Sequence, residues 1–436
     1  MRNLPHYIYI LLLIGTSCFS KTLIGSDSIQ AELVLKYDDK VYERNIRGIQ
    51  FYNEKDELSA PVIPLGSTER LKLSFDELNA ELKNISFTLI HCNANWEPSG
   101  LMPMEYIEGF QDAEIVDFNY SANTIQKYIH YNAYIPHPSM RITKSGNYLL
   151  KVFHTGNPEK LILSRRFMVV ENKILIKPNV HAATSIEFRS YKQEVDFSII
   201  HPQYEISNPF QNLHVVITQN NRWDNAVYNL KPSFINNTEM VYNYDDENVF
   251  SGGSEFRNVD LKSIRYQSER IAKIKIDSAK NNIVILRPDE RRSYIRYTFA
   301  NDINGKFIIK TTDLARNSDI NADYCYVHFF VPLNETLDNG NLYVSGAFNG
   351  WQYNNENKMI YNAERKGYQA VLYLKQGYYN YQYAFIENGT TLADETIIEG
   401  MHQETENDYA IYVYYRPFGT FYDKLIGISR FNSRKQ

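Results

Sequence analysis

The chain has 436 residues, of which 43% are hydrophobic, and a formal net charge of −5. That length exceeds one ordinary domain and predicts two or three, each able to bury a core. The mild charge, with no basic patch or acidic tail, excludes an electrostatic nucleic-acid binder. Aromatic residues stand out instead, with 35 Tyr and 23 Phe. Such residues suit strands that are apolar on one side and wet on the other, and long helical periodic segments are absent. The expected fold class is therefore all-β and multi-domain.

In chain order, residues 1–20 read as an export signal: Arg2 supplies the positive charge, residues 7–14 a short apolar core, and Gly15, Thr16 and Ser17 the small residues that follow. Cleavage after Ser20 releases the mature chain; the rival reading makes Cys18 a lipidated cysteine. The apolar run is too short for a permanent span, and no later segment reaches spanning length, so no transmembrane segment is expected in the mature chain. Residues 29–37 and 41–52 read as opening strands, and 71–75, 148–152 and 166–170 alternate cleanly, with a turn at Ser145-Gly146. In the stretch Ser86-Phe-Thr-Leu-Ile-His-Cys-Asn-Ala-Asn-Trp96, apolar residues alternate with Ser86 and Thr88. A strand there puts His91 and Cys92 on opposite faces, so they cannot work as a catalytic pair. Residues 95–117 break the rhythm with Trp96-Glu-Pro98 and Met102-Pro103, an irregular excursion.

A second block holds strand patterns at 194–199, 213–218, 283–286, 294–299 and 307–309, with a turn at Asn208-Pro209 and a hairpin signal at Asn304-Gly305. Asp302-Ile-Asn-Gly305 lacks the later glutamate of a calcium loop. A third block holds strands at 326–331, 342–345, 368–374 and 379–385, and a closing strand at 409–415. The expected domains are 21–172, 173–311 and 312–436, tandem β-sandwiches of immunoglobulin-like kind.

No motif for catalysis, phosphate binding or zinc binding is present, so no catalytic residue, metal or cofactor is expected. His91, His154, His181, His201, His214 and His328 each stand singly in or beside strand patterns, without the clustering a metal site needs. Cys92 and Cys325 read as buried free thiols. Phe250-Ser-Gly-Gly-Ser-Glu-Phe-Arg257 is more distinctive: Gly252 and Gly253 allow positive φ or close backbone approach, and Glu255 and Arg257 share a side if the segment is extended. It is either a bulge or turn fixing a local pair, or a surface loop clasping a partner.

Four segments occur in order: the stretch ending at Trp96, Lys144-Ser-Gly-Asn-Tyr-Leu-Leu-Lys-Val152, Arg165-Arg-Phe-Met-Val-Val170 and Gly252-Gly-Ser-Glu-Phe-Arg257. Together they resemble the type IX secretion system plug proteins of Bacteroidetes. The resemblance implies a non-enzymatic periplasmic protein that docks on the outer-membrane translocon barrel and reversibly closes its periplasmic mouth. The excursion, with Trp96, and the loop carrying Phe250, Gly252, Gly253, Glu255, Phe256 and Arg257 are the candidate contact elements, because binding residues favour loops on a rigid scaffold. The third block, with Gly346-Ala-Phe-Asn-Gly-Trp351 and Gly377-Tyr-Tyr-Asn-Tyr-Gln-Tyr-Ala-Phe385, is similar to the glycogen-binding early-set modules. That resemblance implies an immunoglobulin-like sandwich and, as the alternative function, carbohydrate binding through Trp351. Ala384 and Thr391 stand where those modules place a lysine and a second tryptophan, so Trp351 is expected to pack or to join a protein interface.

Overall fold

In a computed structural model the chain is described over residues 34–314 and 317–434. The export signal, Cys18 and the first part of the strand expected at 29–37 lie outside these residues. Strands are the dominant regular element of the described chain, which is arranged as three β-sandwiches.

The first sandwich faces the sheet of Ile46–Asn53, Leu71–Glu77, Ile129–Ile135 and Asp117–Tyr120 against a larger sheet centred on Ile85–Cys92, Gly146–His154 and Asn157–Val170. Alternation drives it: Leu71, Leu73 and Phe75 from one sheet and Phe87, Leu89, Leu150 and Phe167 from the other share one core. The larger sheet is buried on both faces. Cys92, Leu149 and Met168, on its reverse side, pack with Val216, Ala410, Tyr412 and Tyr414 of the second sandwich. The hydrophobic seam so formed joins the two bodies.

The second and third sandwiches depart from the expected linear order. Asp408–Tyr415, expected to close the third block, pairs instead with Leu213–Gln219, and Lys424–Asn432 follows it. Its register gives the reason. Tyr409, Ile411, Val413 and Tyr415 enter the second core beside Val195, Phe197 and Val215, while the intervening Tyr412 and Tyr414 fill the seam with the first sandwich. Conversely, Arg257–Asp260, Asn282–Leu286 and Phe307–Ile309, expected in the middle domain, pair with strands of the third. Val259, Val284 and Leu286 accordingly belong to its core. The third sandwich is thus inserted within the second, and the boundary expected at 311/312 falls inside the insert. Residues 294–299 form no strand, and Tyr294 and Ile295 lie exposed. Asn304-Gly305 does turn the chain, both residues at positive φ, with Lys306 N donating to Ile303 O.

The described body, from Leu35 onward, is one compact unit. No helix among the described residues is long and apolar enough to cross a membrane.

Candidate functional site

His91 and Cys92 occupy opposite faces of the Ile85–Cys92 strand. His91 Nε2 lies 3.0 Å from Ser145 O, and its ring sits among Tyr106, Tyr148 and Tyr422. Burial depresses the imidazole to about 4, so it is neutral at physiological pH. Cys92 lies in the seam, where burial pushes its thiol up to about 12, the reverse of an activated nucleophile. Gly146 is held at φ +140, and a Cβ there would fall 2.5 Å from His91 Nε2. The turn glycine and the histidine are therefore one packing unit.

Trp96 does not reach solvent. It sits at φ +66, edge-on to Trp223 at 5.0 Å, with the Arg166 guanidinium 4.6 Å from its ring. It tightens the seam between the first two sandwiches, so the expectation that it meets a partner is corrected: the second sandwich covers it.

The segment from Phe250 to Arg257 is likewise internal. Val249–Ser251 pairs with Lys192–Glu194, placing Phe250 in the second core. At Gly252 a Cβ would lie 2.0 Å from the carbonyl oxygen of His402, so only glycine fits. Gly253, at φ +68, accepts a bond from His402 N and another from Thr405 Oγ1. Glu255 accepts from the Tyr297 hydroxyl and the Glu406 amide, and burial raises its carboxyl above the ordinary value. Phe256 packs against Trp351. Arg257 donates to both oxygens of Glu399 at 3.0 Å, to Asp289 at 3.1 Å and to the Glu290 carbonyl at 2.7 Å. Of the two readings open in the sequence, the structure supports the first: this is the crossover that carries the chain from the second sandwich into the third. Side chains this buried offer a partner no surface.

Trp351 is 9% exposed. Arg222 of the second sandwich stands 4.9 Å from its ring, Phe256 lies on another side, and a Cβ on Gly305 would strike it at 2.6 Å. The surface a sugar would need is taken by the protein itself.

Two features escaped the sequence reading. One is a charged lock between the first and third sandwiches: Asp76 accepts from Lys375 Nζ at 2.5 Å, Tyr324 Oη at 2.6 Å and His130 Nδ1 at 2.6 Å. Burial opposes ionisation of Asp76, yet Lys375 and His130 hold its carboxyl below the ordinary range. The signal, an Asp alternating with core residues in Leu71–Glu77, was visible, but its partners lie far along the chain. The other is the loop of Phe418 and Phe421, which are 97% and 81% exposed. Its Tyr422 reaches the His91–Tyr106 ring cluster, bringing it beside the excursion.

The excursion itself becomes a short helix, Pro103–Tyr106, and the short strands Ile107–Gly109 and Asp112–Glu114. It presents Met102, Met104, Phe110 and Val116 to solvent at 65%, 75%, 70% and 74% exposure. These are four large apolar side chains exposed within one short segment. His181, read as solitary, stands beside Glu194 and Asp196, the three offering ligand atoms within 4.8 Å of one another.

Residues 46–171 match the family model for the type 9 secretion system plug protein 1st domain, a span that takes in the first sandwich except its opening strand Lys40–Val41. Over most of its length the chain is similar to a solved structure, that of a hypothetical protein from Parabacteroides merdae ATCC 43184. The two are 34% identical, with a TM-score of 0.88, over 92% of this chain and 100% of that one. The likeness to the plug family thus rests on residues 46–171, while the solved structure shares the fold of most of the chain. No match is found among curated proteins. The family match accounts for three of the four sequence landmarks, which fall in the plug domain; the fourth, at Gly252-Gly253, is the seam that joins the remaining two sandwiches.

Proposed function

We propose that this protein is a periplasmic plug of the type IX outer-membrane translocon, a non-enzymatic body that reversibly seals the periplasmic opening of the barrel. The single observation that carries the reading is the plug-domain match over residues 46–171. The export signal read in the sequence agrees with a periplasmic location. A plug must resist deformation, and the three sandwiches are cross-braced by the hydrophobic seam around Tyr412 and by the buried Asp76–Lys375 pair. A plug must also release, which calls for a modest contact built on a few apolar anchors inside a polar rim. The exposed Met102, Met104, Phe110 and Val116 of the plug domain supply such anchors.

Affinity capture from outer-membrane extracts tests this. The wild-type chain is expected to retain the translocon barrel, and a Met102→Glu, Met104→Glu double variant with an unchanged circular dichroism spectrum is expected to lose most of it. A translocon that never co-purifies with the wild-type chain would sink the proposal. Retention undiminished in the double variant would move the contact off the excursion.

A further inference from the structure

We infer that His181, Glu194 and Asp196 form a binding site for one divalent transition-metal cation, zinc above all, on the outer face of the second sandwich. Strand register brings them together. Leu175–Ala182 runs antiparallel to Lys192–Ile200 with His181 opposite Glu194, and Asp196 follows two residues on. Val195, Phe197 and Ile199 alternate into the core, so Glu194 and Asp196 take the opposite face.

The donor atoms converge in a way that asks for a positive charge. His181 Nδ1 lies 2.8 Å from the Ala182 carbonyl, which can only accept, so Nδ1 carries the hydrogen. The lone pair of a neutral ring is then on Nε2, which faces Asp196 Oδ2 at 3.0 Å and Glu194 Oε1 at 3.8 Å. Three acceptors pointing at one another repel unless a proton on Nε2 or a metal cation lies between them. The two carboxylates are 1% and 11% exposed, and no Lys or Arg ion pair to either occurs among the described residues. Two buried negative charges with one imidazole are under-compensated.

Each carboxylate is also held from outside the cluster. The Thr184 amide donates to Glu194 Oε2 at 2.6 Å and its hydroxyl to Oε1, the oxygen facing His181, at 3.2 Å; Asn248 donates to Asp196 Oδ1 at 3.0 Å and Asn243 to Oδ2, which also faces His181, at 3.2 Å. Together with the carbonyl behind His181, this is the outer shell that orients metal ligands and fixes the tautomer. Asn248 is fully buried and its Oδ1 has no partner among the described residues, a spare neutral oxygen beside the cluster. A tetrahedral zinc ion with bonds near 2.1 Å separates its ligands by about 3.4 Å. The observed 3.0 and 3.8 Å bracket that spacing. One nitrogen and two oxygens suit zinc better than calcium or magnesium, which prefer all-oxygen sets. His181 is 35% exposed, leaving an open side for water as the fourth ligand. A bound ion would pin the turn that carries Thr184 to the sheet beneath it.

Isothermal titration of the full chain with zinc chloride, against His181→Gln and Asp196→Asn, tests the site. The wild type is expected to bind one equivalent, with affinity at least about tenfold weaker in each variant, and zinc is expected to raise the melting temperature of the wild type only. His181 is partly exposed, so His181→Gln is expected to fold; circular dichroism checks this, and Asp196→Asn provides an independent arm. No zinc uptake by the wild type overturns the inference and leaves a protonated histidine between two carboxylates. Equal uptake by the wild type and both variants also overturns it, placing the ion elsewhere.

Discussion

Lys375→Met isolates the lock between the first and third sandwiches. The substitution keeps the aliphatic stem over Tyr128, which the ammonium approaches at 4.2 Å, and removes the charge together with its hydrogen bonds to Asp76 and to the Asp319 carbonyl. Asp76 and the Lys375 side chain are 0% and 1% exposed, so the carboxylate loses a counter-ion that water cannot replace. His130 and Tyr324 still donate to it. Removing one partner of a buried pair costs about 3–5 kcal/mol, largely the penalty of the stranded charge. Asp76→Asn should cost a similar amount, and the double change Asp76→Asn, Lys375→Met less than the sum, with a coupling of at least about 1 kcal/mol. The pH dependence follows with a definite sign. In the wild type the folded carboxyl lies below its ordinary value, so its stabilisation is present at neutral pH and is lost only as pH falls through that depressed value. Without Lys375, burial dominates and the carboxyl rises, so the deficit of Lys375→Met should shrink between pH 7 and pH 5. Urea denaturation of the four proteins at both pH values is the assay, with hydrogen exchange along Gly367–Lys375 reporting local opening. Additive single and double costs, or a Lys375→Met deficit below about 1 kcal/mol, would refute the reasoning.

Three further outcomes are expected. Buried His91 titrates at about 4 rather than 6.5; the unfolded chain therefore takes up its proton first, and this group should remove about 2 kcal/mol of stability between pH 7 and pH 5. Urea midpoints in His91→Gln should show a correspondingly shallower acid dependence, and an unchanged slope would count against a neutral buried ring. Gly252→Ala, whose Cβ would fall 2.0 Å from the His402 carbonyl, should cost at least about 2 kcal/mol. Gly253→Asn, at φ +68 with open space around it, should cost about 1 kcal/mol or less, so equal melting temperatures for the two would contradict the geometry. Trp351→Ala should lower stability by about 3–5 kcal/mol through a lost packing unit while leaving a glycan array unchanged; sugar binding abolished by that change would reinstate the carbohydrate reading.

Much of this protein was legible in the sequence because β-alternation is local. The period-2 pattern of Ile85–Cys92 is enough to separate His91 from Cys92, and the tyrosine-rich strands are enough to make the fold all-β. The excursion after Trp96 is marked by its own prolines, and the exposed methionines lie within it. Pairing between distant strands is not local, and there the reading failed. Asp408–Tyr415 carries apolar character on both faces because it serves two interfaces, and nothing in its residues says that its partner is Leu213–Gln219 rather than its neighbour in sequence. The glycines of Gly252-Gly253 announced a close approach but not what approaches, and only the fold shows that it is the His402 backbone and not a partner. Likewise Asp76 and Lys375, or His181 and Asp196, become chemistry only when register and packing set their charged atoms within a few ångströms. Local patterning, then, determined element type and burial side, while the tertiary structure decided connectivity, because the free energy of pairing depends on which complementary faces the folded chain brings together.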